Sequence, residues 1–423
     1  MRRRVIDTQK DTQFSDAWIV LALLLLLAGI LFDTLFLTGA AILLLAIAGV
    51  GRLWAAFSLT RLSYQREFSE VRAFRGETIE LRLVVHNRKL LPVTWLNVRD
   101  TFPAELRIAQ REVVVNPATN LAEFSSFWMP GPFRRVTRRF QVECTARGFH
   151  RFGPADLKSG DGFGFFNRTL ILSEQQRLIV YPRLYTAEEL RLPTKNPFGD
   201  QRARGRLFED PLRTAGVRDW HSTDGLRRVH WKATARYQHL LSRVYEPSEE
   251  QVVLLFLNVA TMERHWYGYF PELQERAISV AGSLAAMALE HRQPVGLMAN
   301  GALPGSDQPI RLLPGRSPDQ LLHLLELLAA VTPFASQPIE QMLVAEAPRL
   351  PWGATLLVVT AIAHGDLLAA LAELASAGRR VALFTLAEEP PARHLPNVAI
   401  YHLPHLVDDL ILPQQVEAAA AGR

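Results

Sequence analysis

QVVLLFLNVA, Gln251 to Ala260, is a continuous apolar run of the kind that suits a strand covered on both faces, as in a parallel sheet. The next long element, PELQERAISVAGSLAAMALEHR (Pro271 to Arg292), carries apolar residues at helical spacing and predicts an amphipathic helix. The alternation then continues. PVGLMAN predicts a strand, SPDQLLHLLELLAAV (Ser317 to Val331) a helix, and ATLLVVTA a strand. DLLAALAELASAG predicts a helix closed by Gly378, and RVALFTL a further strand. Strands alternating with helices make a mostly parallel sheet with helices on both faces, here over residues 251–412, with 413–423 as a tail. The order of the strands is not readable at this level.

Upstream the texture differs. TIELRLVVHN (Thr78 to Asn87) and RRFQVECTARG (Arg138 to Gly148) place apolar side chains at every second position, the mark of a half-exposed antiparallel sheet. Turn signals such as FRGE, PGPF and FGPADL recur between such runs, so residues 63–184 are expected to form a β-sandwich. A chain of 423 residues exceeds what one core usually serves, which agrees with several units. The 47 Lys and Arg against 42 Asp and Glu give a net charge of only +5, so nucleic acid is not expected as a partner on charge. The lone Cys144 cannot form an intrachain disulfide, which fits a reducing compartment.

The N-terminal region is nearly all apolar from Ala17 to Phe57. One straight helix of that length would span about twice the roughly 30 Å hydrocarbon layer, whereas two segments of about 18 to 20 residues fit it. A transmembrane hairpin with spans at about 17–34 and 36–56 is therefore expected, turning at Asp33 and Thr34, where the carboxylate reaches water. Arg2, Arg3, Arg4 and Lys10 precede the first span, Arg52 stands at the juxtamembrane end of the second, and Arg61 and Arg66 follow it. The positive-inside rule then puts residues 1–16, the C-terminus and the bulk of the chain in the cytoplasm, at the inner membrane. A signal peptide with a single anchor fits less well, because no small-residue cleavage site separates the two runs and Asp7, Asp11 and Asp16 precede the first.

Residues 185–250 hold the densest polar signal, GVRDWHSTDGLRRVHWKATARYQHLLSRVYE from Gly216 to Glu246. Ser222, Thr223 and Asp224 suit a helix N-cap, with a helix expected from Gly225 to Leu241. Its core stripe would hold Leu226, Val229, His230, Ala233, Tyr237, Leu240 and Leu241, leaving Arg228, Trp231, Lys232, Ala235 and His239 opposite. Ten basic residues stand against four acidic ones between Gln201 and Tyr245. That face either fills an interface, with Arg218, Arg228 and Arg236 paired to Asp219, Asp224 and Glu246, or meets an acidic or phosphate-bearing partner.

GVRDW, DGLRRVHWKATAR and VYE, with RGFHRFGPADLKSGDGFGFF (Arg147 to Phe166) and LIVYPRL (Leu178 to Leu184) upstream, resemble the domain of unknown function 58 family. The resemblance implies a twin-helix anchor and a C-terminal domain similar to the von Willebrand factor type A fold. It also implies a MoxR-type AAA+ ATPase as partner in assembling or activating other proteins. No reaction is generally assigned to the family. Partner-binding residues on this basis are Arg218, Asp219, Trp220, Asp224, Arg227, Arg228, Trp231, Lys232 and Arg236. Thr223 departs from the glycine that relatives commonly place there. The metal-binding positions of the fold would fall on Asn258, Ala260 and Met262, which offer neither carboxylate nor hydroxyl, so no metal and no cofactor are expected.

Other signals are weaker. His402, His405 and Asp408 are interrupted by Pro404, and Gly160, Gly162 and Gly164 lack the third glycine of a dinucleotide loop, with Phe165 in its place. No P-loop pattern is present, so the chain is not expected to hydrolyse ATP. The expectation is a membrane-anchored adaptor or scaffold without catalysis. The alternatives are an enzyme of unassigned chemistry using Asp219, His221, Asp224 and His230, or a purely structural membrane protein.

Overall fold

The computed structural model describes residues 5–6, 15–109, 114–192, 209–221, 224–247, 252–263, 268–351, 353–391 and 395–406. The chain divides into two units, Met1–Tyr181 and Pro182–Arg423. The first contains two apolar helices and an antiparallel β-sandwich. The second contains a two-stranded arm and a mixed, mostly parallel α/β sheet.

In the first unit, strand β1 (Val5–Ile6) precedes helices α1 (Ser15–Leu31) and α2 (Leu35–Ser58). With 24 residues and a mean hydropathy of 2.0, α2 is the one described helix long and apolar enough to cross a membrane. The apolar part of α1, Ile19–Leu31, is shorter. Asp33, at φ 50°, turns the chain between them. The helices approach closely at Gly29, where a Cβ would stand 2.7 Å from the Thr38 nitrogen, so only glycine fits.

The sandwich strands are β2 (Leu62–Phe68), β3 (Arg72–Phe74), β4 (Thr78–Asn87), β5 (Leu96–Pro103), β6 (Arg107–Ile108) and β7 (Val114–Asn116). They continue as β8 (Leu121–Trp128), β9 (Arg135–Glu143), β10 (Gly148–Phe152), β11 (Ala155–Gly160), β12 (Asn167–Leu172) and β13 (Gln176–Tyr181). The sheets run β1-β12-β11-β5-β8-β7, β2-β4-β9-β6 and β10-β13-β3. Leu83, Leu96, Val98, Phe102, Trp128 and Leu157 fill the core because alternate residues of each strand point inward. Val5 pairs with Leu172, so the chain ahead of the helices joins the same sheets as the chain after them.

One charged cluster lies inside this core. Arg66 donates from Nε and Nη2 to the Asp100 carboxylate at 2.7 and 2.8 Å, and the Tyr64 hydroxyl donates to the same group at 2.6 Å. Burial, with Asp100 next to it, holds the Tyr64 hydroxyl well above its ordinary pKa.

In the second unit, β14 (Glu209–Asp219) and β15 (Leu241–Pro247) form an antiparallel arm, with helix α3 (Trp231–Tyr237) between them. The α/β sheet is built from β16 (Val253–Leu257), β17 (Val295–Ala302), β18 (Pro309–Gly315), β19 (Thr355–Thr360), β20 (Arg380–Thr385) and β21 (Val398–His402). Their order is β18-β17-β16-β19-β20-β21, parallel except for β17 with β18. Helices α4 (Pro271–Glu290), α5 (Gln320–Ala330), α6 (Ile339–Glu346) and α7 (Gly365–Ser376) cover it. Leu255 and Leu257 pack with α4 and α5, and Leu254 and Phe256 with α6 and α7, which is why this strand reads as apolar without a break. The chain runs outward from β16 in one direction and then crosses to β19, so the switch point lies beyond the carboxyl ends of β16 and β19.

Removing Asp100 would leave a buried guanidinium uncompensated. Asp100→Ala is expected to cost about 3–5 kcal/mol of stability. Loss of the exposed Arg135–Glu67 pair is expected to cost roughly 0–1 kcal/mol. Denaturant unfolding of the full chain checks both.

Candidate functional site

The arm's register pairs Asp219 with Leu241, Arg218 with Ser242 and Val217 with Arg243, so residues 220–240 form a tip over the end of a two-stranded ribbon. The single helix expected from Gly225 to Leu241 is not what forms. A 3-10 turn covers Leu226–Arg228, Val229 bridges to Ser242, and α3 begins only at Trp231. Val229, 2% exposed, is drawn into the ribbon and breaks the helical path. His230 then has non-helical torsions, and its Nδ1 accepts a hydrogen bond from the Ala233 amide at 3.1 Å, capping α3. At the other end Gln238 is left-handed, and the Thr234 hydroxyl accepts from the Leu241 amide at 3.1 Å.

The break resets the helical phase, so the expected core stripe is corrected as well. Val229 and Leu241 are buried, whereas Leu226, Tyr237 and Leu240 are exposed. No residue of α3 is fully buried.

The turn that opens the tip is held by a clasp around Asp224. Arg218 Nη2 donates to Asp224 Oδ1 at 2.7 Å, and the His221 amide donates to Oδ2 at 3.1 Å. The Trp220 indole donates to the Asp224 carbonyl at 3.1 Å, and the Asp224 amide closes the turn onto His221 at 2.8 Å. The Arg218 hydrogen bond, then that of the His221 amide, holds the Asp224 carboxyl below its ordinary pKa.

Arg218, Trp220 and Asp224 are thus brought together, and the Arg218–Asp224 pair was among those the sequence allowed. Asp219 faces His239 at 3.2 Å instead. Trp231, 63% exposed, and Lys232 open α3, and Arg236 lies in its last turn. Arg228 is half-buried, while Ser222, Thr223 and the Arg227 side chain lie outside the described residues.

The four residues of the enzyme reading do not converge. Asp224 is taken up by the clasp, Asp219 by His239 and His230 by the α3 cap, and His221 is exposed. A cavity of about 260 Å³ lies in the sandwich instead, lined by Tyr64, Arg66, Glu67, Leu172, Glu174 and Gln176.

At the switch point, Asn258 donates from Nδ2 to the Thr360 hydroxyl at 3.0 Å. Its Oδ1 accepts from Asn300 Nδ2 at 2.8 Å and the Ala260 amide at 3.1 Å. Thr360 Oγ1 in turn donates to the Ile362 carbonyl at 2.6 Å. An amide oxygen already shared by two donors is a poor ligand for a hard cation, so these residues do not fit a metal. His402 and His405 contact the carbonyls of Ala387 and Glu189, and Asp408 lies outside the described residues.

Comparison with known proteins gives a family match over residues 216–411, to the family described as "Protein of unknown function DUF58". That range opens within β14, just before the tip, and runs through the α/β sheet. The chain is similar to "Uncharacterized protein YeaD" of Bacillus subtilis (strain 168), 22% identical over 291 residues, 68% of this chain and 67% of that protein. Among solved structures it is similar to the Coh-OlpC-Doc435 cohesin–dockerin complex from Clostridium thermocellum, at 12% identity and a TM-score of 0.20 over 28% of this chain and 92% of that one. A non-cellulosomal cohesin from Archaeoglobus fulgidus matches at 12% identity and a TM-score of 0.18, over 31% and 96% of the two chains.

The lowered carboxyl of Asp224 stabilises the tip above the ordinary aspartate value of about 3.9 and loses that effect as pH falls through the lower folded value. Asp224→Asn is expected to speed exchange of the Trp220 and His230 amides several-fold at neutral pH and to remove this acid-side dependence. Amide hydrogen exchange followed against pH checks it.

Proposed function

We propose that the whole chain is a membrane-anchored adaptor of the DUF58 family, whose arm tip docks a protein partner. The observation that carries this reading is the exposed Trp231, with Lys232 and Arg236 exposed on the same short helix, which is held to β15 through the His230 amide and the Thr234 hydroxyl. An exposed aromatic with cations on the same short, fixed element is a common make-up of an interface hot spot. The resemblance supplies a MoxR-type AAA+ ATPase as the partner, engaged through an acidic surface. An adaptor role is favoured over catalysis because the polar residues of the tip are spent on clasp and cap.

In this reading both apolar helices cross the inner membrane as a hairpin, with the N-terminus and both units in the cytoplasm. Pairing of β1 with β12 supports it, since the segments before α1 and after α2 join one sandwich and must lie on the same side. The α/β sheet belongs in this proposal to a von Willebrand factor A-like domain without its metal, and the strand order and antiparallel edge support that.

The test is capture of partners from the source cell's lysate by the membrane-extracted full chain. The wild type is expected to recover an AAA+ ATPase. The triple variant Trp231→Ala, Lys232→Ala, Arg236→Ala, with an unchanged melting temperature, is expected to bind about tenfold more weakly or worse. Undiminished capture by that folded variant would overturn the tip as the docking site.

A further inference from the structure

The sandwich's registers put three loops at one end. Leu62 pairs with Asn87, and His86 with Arg135, so the start of β2, the end of β4 and the start of β9 share a level. Leu96 pairs with Trp128 and with Ser159, and Gly160 with Asn167, which brings the start of β5, the ends of β8 and β11 and the start of β12 to that end too. Loops 88–95, 129–134 and 161–166 therefore sit together, at the end where α2 enters the sandwich through Leu59 to Arg61.

Helix and loops touch directly. Lys89 donates to the Phe57 carbonyl at 2.6 Å and the Thr60 carbonyl at 3.0 Å, and also to that of Ser58. A Cβ on Gly51 would lie 3.3 Å from Asp161 and from the Phe166 ring, so loop 161–166 packs on α2 seven residues before its last, Ser58. At 1.5 Å per residue that is about 10 Å back along the axis. The whole of α2 is about 36 Å long, against a hydrocarbon layer of roughly 30 Å, so Gly51, about 24 Å from the first residue Leu35, lies within about 6 Å of the level where acyl chains give way to headgroups.

The loops expose the side chains such a level favours. Leu90 is 75% exposed and Phe163 74%, and Met129, Phe133 and Phe165 are exposed with them. The one acidic residue in the three loops, Asp161, turns inward, where its Oδ1 accepts from the Phe166 amide at 2.9 Å. Arg61, Arg88 and Arg134 are exposed around the apolar residues. At the opposite end the exposed large apolar residues are fewer, Val71, Val115 and Phe149.

We propose that Leu90, Met129, Phe133, Phe163 and Phe165 form a rim that inserts into the headgroup layer of an anionic phospholipid bilayer, seating the sandwich on the membrane beside α2. The inference rests on the reading that α2 spans the membrane. Apolar and aromatic side chains enter the interface while the arginines meet lipid phosphates, the division of labour of interfacial membrane-binding elements. The rim adds a second lipid contact to the anchor and fixes the sandwich's height and tilt, which a single flexible attachment would not.

Site-directed spin labelling of the full chain tests this in vesicles of phosphatidylglycerol and phosphatidylethanolamine. The natural Cys144 is buried with its thiol pushed up to about 12, so at pH 7 it should not compete for the label. Single cysteines are introduced as Leu90→Cys and Phe163→Cys on the rim, Leu43→Cys within α2 and Thr119→Cys at the opposite end. Rim labels are expected to gain collisions with oxygen and lose those with a water-soluble nickel chelate, at headgroup depth, with Leu43 deeper and Thr119 in water. If the rim labels behave like Thr119 while Leu43 remains deep, the rim proposal fails and the span stands. If Leu43 itself is aqueous, the span fails and the rim with it. Rim labels shielded from both reagents would mean that protein covers the rim, which also overturns the proposal.

Discussion

The amine of Lys89 closes the carboxyl end of α2. The last carbonyls of any helix lack intrahelical partners, and here they emerge where the most apolar segment of the chain ends. Lys89, buried on the loop after β4, donates to three of the carbonyls at and just beyond that end. Its charge also meets the negative pole of the helix dipole. Desolvation brings its pKa down to about 8, so at neutral pH it still carries the proton it donates. With that end fixed, residues 59–61 lead directly into β2, and β4 is bound to the same point from its other side. Every later register in the sandwich then determines which loops gather at the helix and which lie at the far end.

The same logic of a partner for each buried polar group separates the two polar centres of the second unit. Around Asn258, amides and a hydroxyl satisfy one another, so the crevice where doubly wound sheets commonly hold ligands is occupied by its own side chains. Around Asp224, a carboxylate is satisfied by one arginine and one amide, and the hydrogen bonds tie together residues only a few positions apart. The first network stiffens the sheet's carboxyl edge. The second fixes a turn, leaving the residues after it to face outward.

What could be read from the sequence follows from how many neighbours constrain each residue. Val253 to Leu257 is legible because both faces of the strand are covered, and α2 because Arg52, near its end, is the one charge in its apolar run. The edge strands β18 and β21 are not legible in this way, since PIRLLPG is broken by Arg311 and bounded by Pro309 and Gly315, and VAIYH is a run of only four apolar residues, three of them half-exposed. The arm was hidden for a related reason: EDPLRTAGVRD contains Pro211 and Gly216, and its pairing with β15 slips between Glu209 and Gly216. In the tip, helical periodicity runs through Val229 without a local stop signal. Only the tertiary bridge to Ser242 ends the helix there, and only afterwards can His230 act as a cap. Arg218, Trp220 and Asp224 stood out by residue type, but their convergence depends on that break.

Composition alone would give the tip and the rim the same meaning, because each sets aromatic and aliphatic side chains among arginines. Their supports differ. The tip's Trp231 stands on a seven-residue helix that is capped at both ends and hydrogen-bonded to the ribbon at Leu241, a base that presents one small surface in one orientation. The rim's residues come from three separate loops gathered at the end of the sandwich that α2 enters, a spread that matches a plane better than a pocket. A protein partner rewards a fixed arrangement of side chains, since each must meet a particular counterpart. A bilayer interface rewards depth alone, since lipid conforms to whatever enters it. The physical ground for assigning one surface to protein and the other to lipid is therefore the scaffold beneath the residues, which no local stretch of sequence encodes.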